Sequence, residues 1–262
     1  MQTVTRYPAG MPSWVDLSTS DVDAAKRFYA ALLGWDYVDQ PAGPDQTYAM
    51  AQIGGHDVAG MFFGAGPEHG PPRWNSYVTV GDVDASAARA AELGGLLVAE
   101  PFEVMQAGRM AVVQAPDASV LALWQPRENI GAALVNVPGA FCWTELNSVD
   151  LDAARPFYQG LFGWELQAEP GGPGGEYISI QLDGRSIGGM QAQPAPGAPS
   201  AWLVYFTVED CDAAAAQVPA LGGQVHLAPM DIPDVGRMCL IADPQGAVCC
   251  LIALLHSDPP PG

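Results

Sequence analysis

The stretch Trp14 to Trp35, WVDLSTSDVDAAKRFYAALLGW, returns at Trp143 to Trp164 as WTELNSVDLDAARPFYQGLFGW. The same offset carries Gly60-Met61 onto Gly189-Met190. Further on, Trp74 and Trp202, Asp82 and Asp210, and Gly108-Arg109-Met110 and Gly236-Arg237-Met238 recur with one residue fewer between them. A spacing this long describes two copies of one domain rather than a short-period solenoid.

Each copy divides again. Residues 13 to 17 alternate as a strand, Ser20-Asp21 caps a helix with the apolar face Val22, Ala25, Phe28, Tyr29, Leu32 and Leu33, and Gly34 stops it. Three short strands separated by Pro, Gly and Asp follow, so the unit is βαβββ. It restarts at Trp74, with a cap at Asp82 and a stop at Gly94-Gly95. The expected fold is therefore α+β: four βαβββ units, 11–63, 74–126, 140–192 and 201–255. They make a first domain over 1–126 and a second over 139–256, with a breaker-rich linker at 127–138 and a disordered tail at 257–262.

Composition narrows the function. The formal net charge is -19, with 29 acidic residues against 10 basic ones, which opposes binding to nucleic acid and anionic membranes. No apolar run approaches the roughly 20 residues of a membrane span, and the first residues lack a leader pattern, so a cytoplasmic monomer or homodimer is expected. All five cysteines fall in the second copy, a poor disulfide framework, and read as reduced, mostly buried thiols.

The strand, Asp-hydrophobic-Asp-Ala-Ala, Phe-Tyr and Leu-hydrophobic-Gly-Trp, closed by Asp243-Pro244-Gln245-Gly246, together resemble the vicinal oxygen chelate superfamily. That superfamily includes glyoxalase I, bleomycin-resistance proteins and extradiol dioxygenases; the resemblance covers nearly the whole chain and is close to tandem two-domain actinobacterial members. It implies two glyoxalase-like domains, each with a U-shaped mixed sheet and helices on its outer face. It also implies a divalent metal held by His, Gln and Glu on the inner face. By the family's spacing, those positions hold Trp14, Asn75 and Ala122 in the first copy and Trp143, Leu203 and Cys250 in the second. A fourth falls near Gly60-Met61 and Gly189-Met190. None is His or Glu, so no metal and no cofactor is expected. His56, His69, His226 and His256 read as surface residues.

Strand alternation says what lines the grooves instead. The first should present Trp14, Asp16, Asn75, Tyr77, Val120, Ala122 and Trp124; the second, Trp143, Glu145, Leu203, Tyr205, Val248, Cys250 and Ile252. The opposite face, read from Trp202, Val204, Phe206 and Val208, is apolar and should pack under the helices, with Phe28-Tyr29, Phe157-Tyr158, Trp35 and Trp164 in the core. Asp16 and Glu145, each beside a Trp, are the candidate acid or base groups. Arg109 and Arg237 are candidates either for pairing with those carboxylates or for holding a ligand anion.

The expected function is metal-independent binding of a planar, largely apolar small molecule, in sequestration, resistance or biosynthesis. A metal-free acid/base tailoring enzyme and a metal-dependent glyoxalase- or dioxygenase-like enzyme with displaced ligands are the alternatives.

Overall fold

The computed structural model describes residues 3–43, 46–172 and 175–256. In the first copy the elements run β1 (Pro12–Thr19), α1 (Val22–Leu33), β2 (Asp36–Gly43), β3 (Gln46–Ile53), β4 (His56–Phe63), β5 (Arg73–Thr79), α2 (Val83–Glu92), β6 (Leu96–Val104), β7 (Gly108–Gln114) and β8 (Val120–Pro126). The second copy repeats them as β9 (Phe141–Ser148), α3 (Leu151–Phe162), β10 (Glu165–Gly172), β11 (Gly175–Leu182), β12 (Arg185–Ala192), β13 (Ala201–Thr207), α4 (Cys211–Gln217), β14 (Gln224–Ile232), β15 (Gly236–Ala242) and β16 (Val248–Leu254). The expected βαβββ unit thus occurs four times. The anticipated tail at 257–262 lies outside the described residues.

Local chemistry accounts for the helices. Asp21, Asp82, Asp150 and Asp210 each stand in extended or near-extended backbone and accept a hydrogen bond from the amide three residues on. Gly34 and Gly163 close α1 and α3 with positive φ, where a residue without Cβ is unstrained. Helix α4 stops earlier than its counterpart α2, because Pro219 supplies no amide hydrogen; the chain continues as a 3-10 turn.

Each copy forms one eight-stranded sheet, in the order β2-β3-β4-β1-β5-β8-β7-β6 and β10-β11-β12-β9-β13-β16-β15-β14. Two units pair within a copy through the antiparallel central strands β1 and β5, or β9 and β13, and each sheet curls into a half-barrel. The groove of each copy is therefore built from its own two units. The pairs β1/β4, β5/β8, β9/β12 and β13/β16 are parallel, which makes the sheets mixed.

The convex faces carry the core, as the alternation of Trp202, Val204 and Phe206 requires. This core is continuous through both copies. Trp35 of the first copy packs edge-on against Phe206 of the second, and its Nε1 donates to the Gly139 carbonyl at 2.7 Å. Trp164 reciprocates, donating to the Gly10 carbonyl at 2.7 Å. Tyr29 donates to Asp243 in the Asp-Pro turn of the second copy, at 3.2 Å, while accepting from Trp74. Tyr158 meets Ser119 of the first copy at 2.8 Å and accepts from Trp202. The repeated Phe-Tyr and Gly-Trp pairs are core residues, as expected, and part of what they fasten is the other copy. The stretch 127–138 is likewise no loose tether: Ala132 and Leu134 are fully buried, and the Ala132 and Ala133 amides donate to Ser13 and Asp57.

Candidate functional site

In the first groove Asp16 stands on the concave side of β1, and cross-strand register sets it beside Asn75 on β5 and Gly60 on β4. Only 1% of its surface is exposed. Its Oδ2 accepts from Tyr77 at 2.6 Å and Tyr48 at 3.0 Å, and its Oδ1 accepts from Asn75 at 2.9 Å. Trp14 donates Nε1 to the Tyr48 hydroxyl at 2.9 Å. Tyr77, buried, meets Trp124 edge-on, and Trp124 donates to the Asn129 carbonyl. Gly60 is what lets this form: a Cβ there would lie 2.0 Å from the Tyr48 hydroxyl oxygen, so only a bare backbone lets the phenol cross to Asp16.

The second groove repeats the design with a longer acid. Glu145, 5% exposed, accepts from Gln191 at 2.7 Å, and Trp143 donates to Tyr177 at 3.1 Å. Tyr177 lies over Gly189, where a Cβ would be 1.9 Å from its hydroxyl oxygen. Leu203 replaces Asn75 opposite the acid, and Cys250, fully buried, replaces Ala122. Tyr205, Met238, Cys250 and Ile252 form a small apolar cluster in this groove, with Trp143 and Leu203 packed against it.

Burial sets the electrostatics. It raises the Asp16 carboxyl above the usual range, opposed by the hydrogen bonds from Tyr77, Asn75 and Tyr48 and by the charge of Arg73. Glu145 is raised for the same reason, against hydrogen bonds from Gln191, Tyr205, Tyr177 and Asn147. Tyr48 and Tyr77 are pushed well above an ordinary phenol by burial and then by the Asp16 charge. Protons are thus held on the phenols.

Beyond this floor the concave face widens onto an apolar shelf. Leu96, Gln114 and Val120 lie side by side across β6, β7 and β8, and Phe102 pairs with Met110. Leu96, Val98 at the strand's bulge, Phe102 and Val120 are between 40% and 65% exposed. In the second copy Leu227 and Met230 are exposed beside Leu240 and Met238.

The structure brings Trp14, Asp16, Asn75, Tyr77 and Trp124 together, and separately Trp143, Glu145, Leu203, Tyr205 and Cys250. Arg109 and Arg237 must be corrected. Their strands turn Ala111 and Val113, or Cys239 and Ile241, into the core, and the same parity puts the arginines on the helix side. There Arg109 pairs with Asp84 and Glu103, and Arg237 with Asp212 and Asp231. Neither reaches a groove carboxylate. Tyr48, Tyr177, Asn147 and Gln191 escaped the sequence reading, although Tyr48 and Tyr177 recur at the offset of the opening repeat.

The residues at the family's metal positions do not suit a divalent ion. An indole, an amide and a methyl group in one groove, and an indole, an isobutyl group and one thiol in the other, do not supply converging donors. Among the described residues no three His, Cys, Asp or Glu side chains come together, and all four histidines are exposed.

Comparison with known proteins bears on the same points. The family model described as "Glyoxalase/Bleomycin resistance protein/Dioxygenase superfamily" matches residues 12–123 and 141–251. "Putative glyoxylase CFP32" of Mycobacterium tuberculosis is 42% identical over 248 residues, covering 93% of this chain and 95% of that protein. "Anthracycline biosynthesis protein DauV" of Streptomyces sp. (strain C5) is 32% identical over 270 residues, covering 98% of each. Among solved structures, the Mn(II)-bound glyoxalase of Novosphingobium aromaticivorans superposes with a TM-score of 0.67 at 16% identity, over 95% of this chain and 83% of that one. The 2,3-dioxygenase LapB of Pseudomonas sp. KL28 gives 0.68 at 13% identity, over 99% and 96%. At such identities the structural likeness speaks for the fold alone.

Proposed function

Because the chain belongs to the glyoxalase/bleomycin resistance protein/dioxygenase superfamily, whose shared fold hosts unrelated chemistries, we propose a function from its own grooves: binding of a planar, largely apolar small molecule without a bound metal. The observation that carries this reading is the exposed shelf of Leu96, Val98, Phe102 and Val120 beside a floor of Trp14, Tyr77 and Trp124. Exposed apolar side chains at the mouth of a concave site are what a flat hydrophobic ligand covers. DauV is named for anthracycline biosynthesis, and that relative favours a polycyclic aromatic ligand in sequestration or in an accessory step of biosynthesis. Among the described residues no helix is long and apolar enough to cross a membrane.

Calorimetric titration with a panel of polycyclic aromatics tests the proposal. At least one should bind wild-type protein, and Leu96→Asp, an exposed change that spares the core, should weaken it tenfold or more, a loss of about 1.4 kcal/mol. No binding across the panel, or an unchanged affinity in the variant, would sink it.

A second reading is favoured by one contact, the 2.6 Å hydrogen bond from Tyr77 to Asp16. In it the phenol, backed by a buried carboxylate, moves a proton on the bound ligand and the protein is a metal-free acid/base enzyme. Tyr77→Phe should then abolish turnover while leaving ligand affinity within a few-fold. Equal loss of both would assign Tyr77 to binding alone.

A further inference from the structure

Around its acid copy two departs from copy one, and three of the changes shift polar side chains. Where the first copy has Ser18, Phe62 and Asn75, the second has Asn147, Gln191 and Leu203. The polar side of the groove has thus moved from the central partner strand β13 to β12 and the end of β9. Asn147 and Gln191 are cross-strand partners on the concave face, one pleat beyond Glu145 and Gly189.

Gln191 donates its Nε2 to Glu145 at 2.7 Å, and the Asn147 amide helps to lower the pKa of that carboxyl against burial. Gln191 therefore spends its donor on the acid and keeps its oxygen free. Among the described residues Gln191 Oε1 and Asn147 Oδ1 have no hydrogen-bond partner, although Gln191 is 6% and Asn147 8% exposed. Buried acceptors left unmade are costly and uncommon. Two lie on adjacent strands as cross-strand partners, facing a groove with aromatic walls. Neighbouring strands lie about 4.8 Å apart, roughly the separation of two hydroxyl groups set meta on one ring.

We infer that the second groove holds a polar subsite, formed by Gln191 Oε1 and Asn147 Oδ1, that accepts O–H or N–H donors of an aromatic ligand. This rests on the ligand-binding reading above and adds a chemical class to it: a hydroxylated or amino-substituted ring is taken, and its alkylated or oxidised counterpart, which has only acceptors, is refused. In the first copy Phe62 at the Gln191 position stacks on Tyr48, so that groove lacks the pair. The grooves are consequently selective for different parts or kinds of ligand.

The first copy supplies the controls. Gln191→Phe and Asn147→Ser install the residues that the same fold carries at Phe62 and Ser18. Calorimetry with 1,3-dihydroxynaphthalene and 1,3-dimethoxynaphthalene should show the diol binding wild-type protein about tenfold more tightly or better. That preference should vanish in the double variant, and Asn147→Ser alone should remove part of it. Equal affinity of the two compounds for wild-type protein, or a preference that survives the double variant, overturns the subsite while leaving the apolar groove intact. Failure of both compounds and of the wider aromatic panel to bind defeats the groove reading, and the subsite with it.

Discussion

Replacing Gly60 by alanine should expel Tyr48 from the groove. The new methyl carbon would lie 2.0 Å from the Tyr48 hydroxyl oxygen and 2.3 Å from the ring carbon bearing it, well inside any tolerable contact. The strand backbone is fixed by its pairing to β1 and β3, so the phenol has to leave. With it go the hydrogen bond from Trp14 at 2.9 Å and the one to Asp16 at 3.0 Å. A neutral buried bond contributes about 1 kcal/mol and one to a charged group about 1.5 to 3, so a loss of about 2.5 to 4 kcal/mol follows. Urea unfolding measures it. The reasoning is tested by a cycle with Tyr48→Phe, which removes the same two bonds without the clash. Once they are gone Gly60→Ala has less left to disrupt, and the two changes should couple by about 2 kcal/mol. A loss below about 0.5 kcal/mol for Gly60→Ala, or strictly additive losses, would refute the role assigned to Tyr48, since well-separated sites are the ones that add.

Three other outcomes follow from the same geometry. Burial holds Asp16 and Glu145 above their unfolded values, so the folded protein retains protons that the unfolded chain has released. Their contribution is complete below the unfolded carboxylate value, about pH 4, and is lost as pH rises through the folded one. Wild-type stability minus that of Glu145→Gln should therefore fall as pH climbs from about 4, and a difference flat to pH 8 would contradict charge burial. Trp35→Ala, which removes a buried indole shared by the two copies, should cost about 3 to 5 kcal/mol and raise hydrogen exchange in β13 and β16 as well as in β1; exchange confined to the first copy would deny the common core. Arg109→Ala and Arg237→Ala break ion pairs on the helix side, and ligand affinity should stay within about twofold of wild type; a larger loss would return the arginines to the groove.

Much of this architecture was legible in the chain. The duplication gave four units, and period-two alternation put Trp14, Asp16, Asn75 and Tyr77 on one face because those strands alternate cleanly between core and groove. The same parity, applied to Ala111 and Val113, would have turned Arg109 away. Tyr48 and Tyr177 were harder to see. They reach the carboxylates from β3 and β11, across a glycine on the intervening strand, and no property of one strand states what lies two strands away. The pairing of units through β1 and β5, and the packing of Trp35 and Trp164 into the opposite copy, likewise depend on tertiary register, which composition and spacing leave open. In the stretch 127–138 Pro and Gly mark the absence of helix and strand, while the burial of Ala132 and Leu134 is a separate matter that breakers do not state.

The proposal is that indole, phenol and buried acid serve a ligand in a fold that, in the Mn(II)-bound glyoxalase of Novosphingobium aromaticivorans, carries a metal ion. Its most direct test is calorimetric titration of an aromatic ligand into protein stripped with a chelator, then into the same protein given back Mn2+, Fe2+ or Zn2+. The grooves described here predict one affinity throughout, with Trp14→Ala reducing binding in the first groove under every condition. Binding that disappears on chelation and returns with a stoichiometric metal would contradict them.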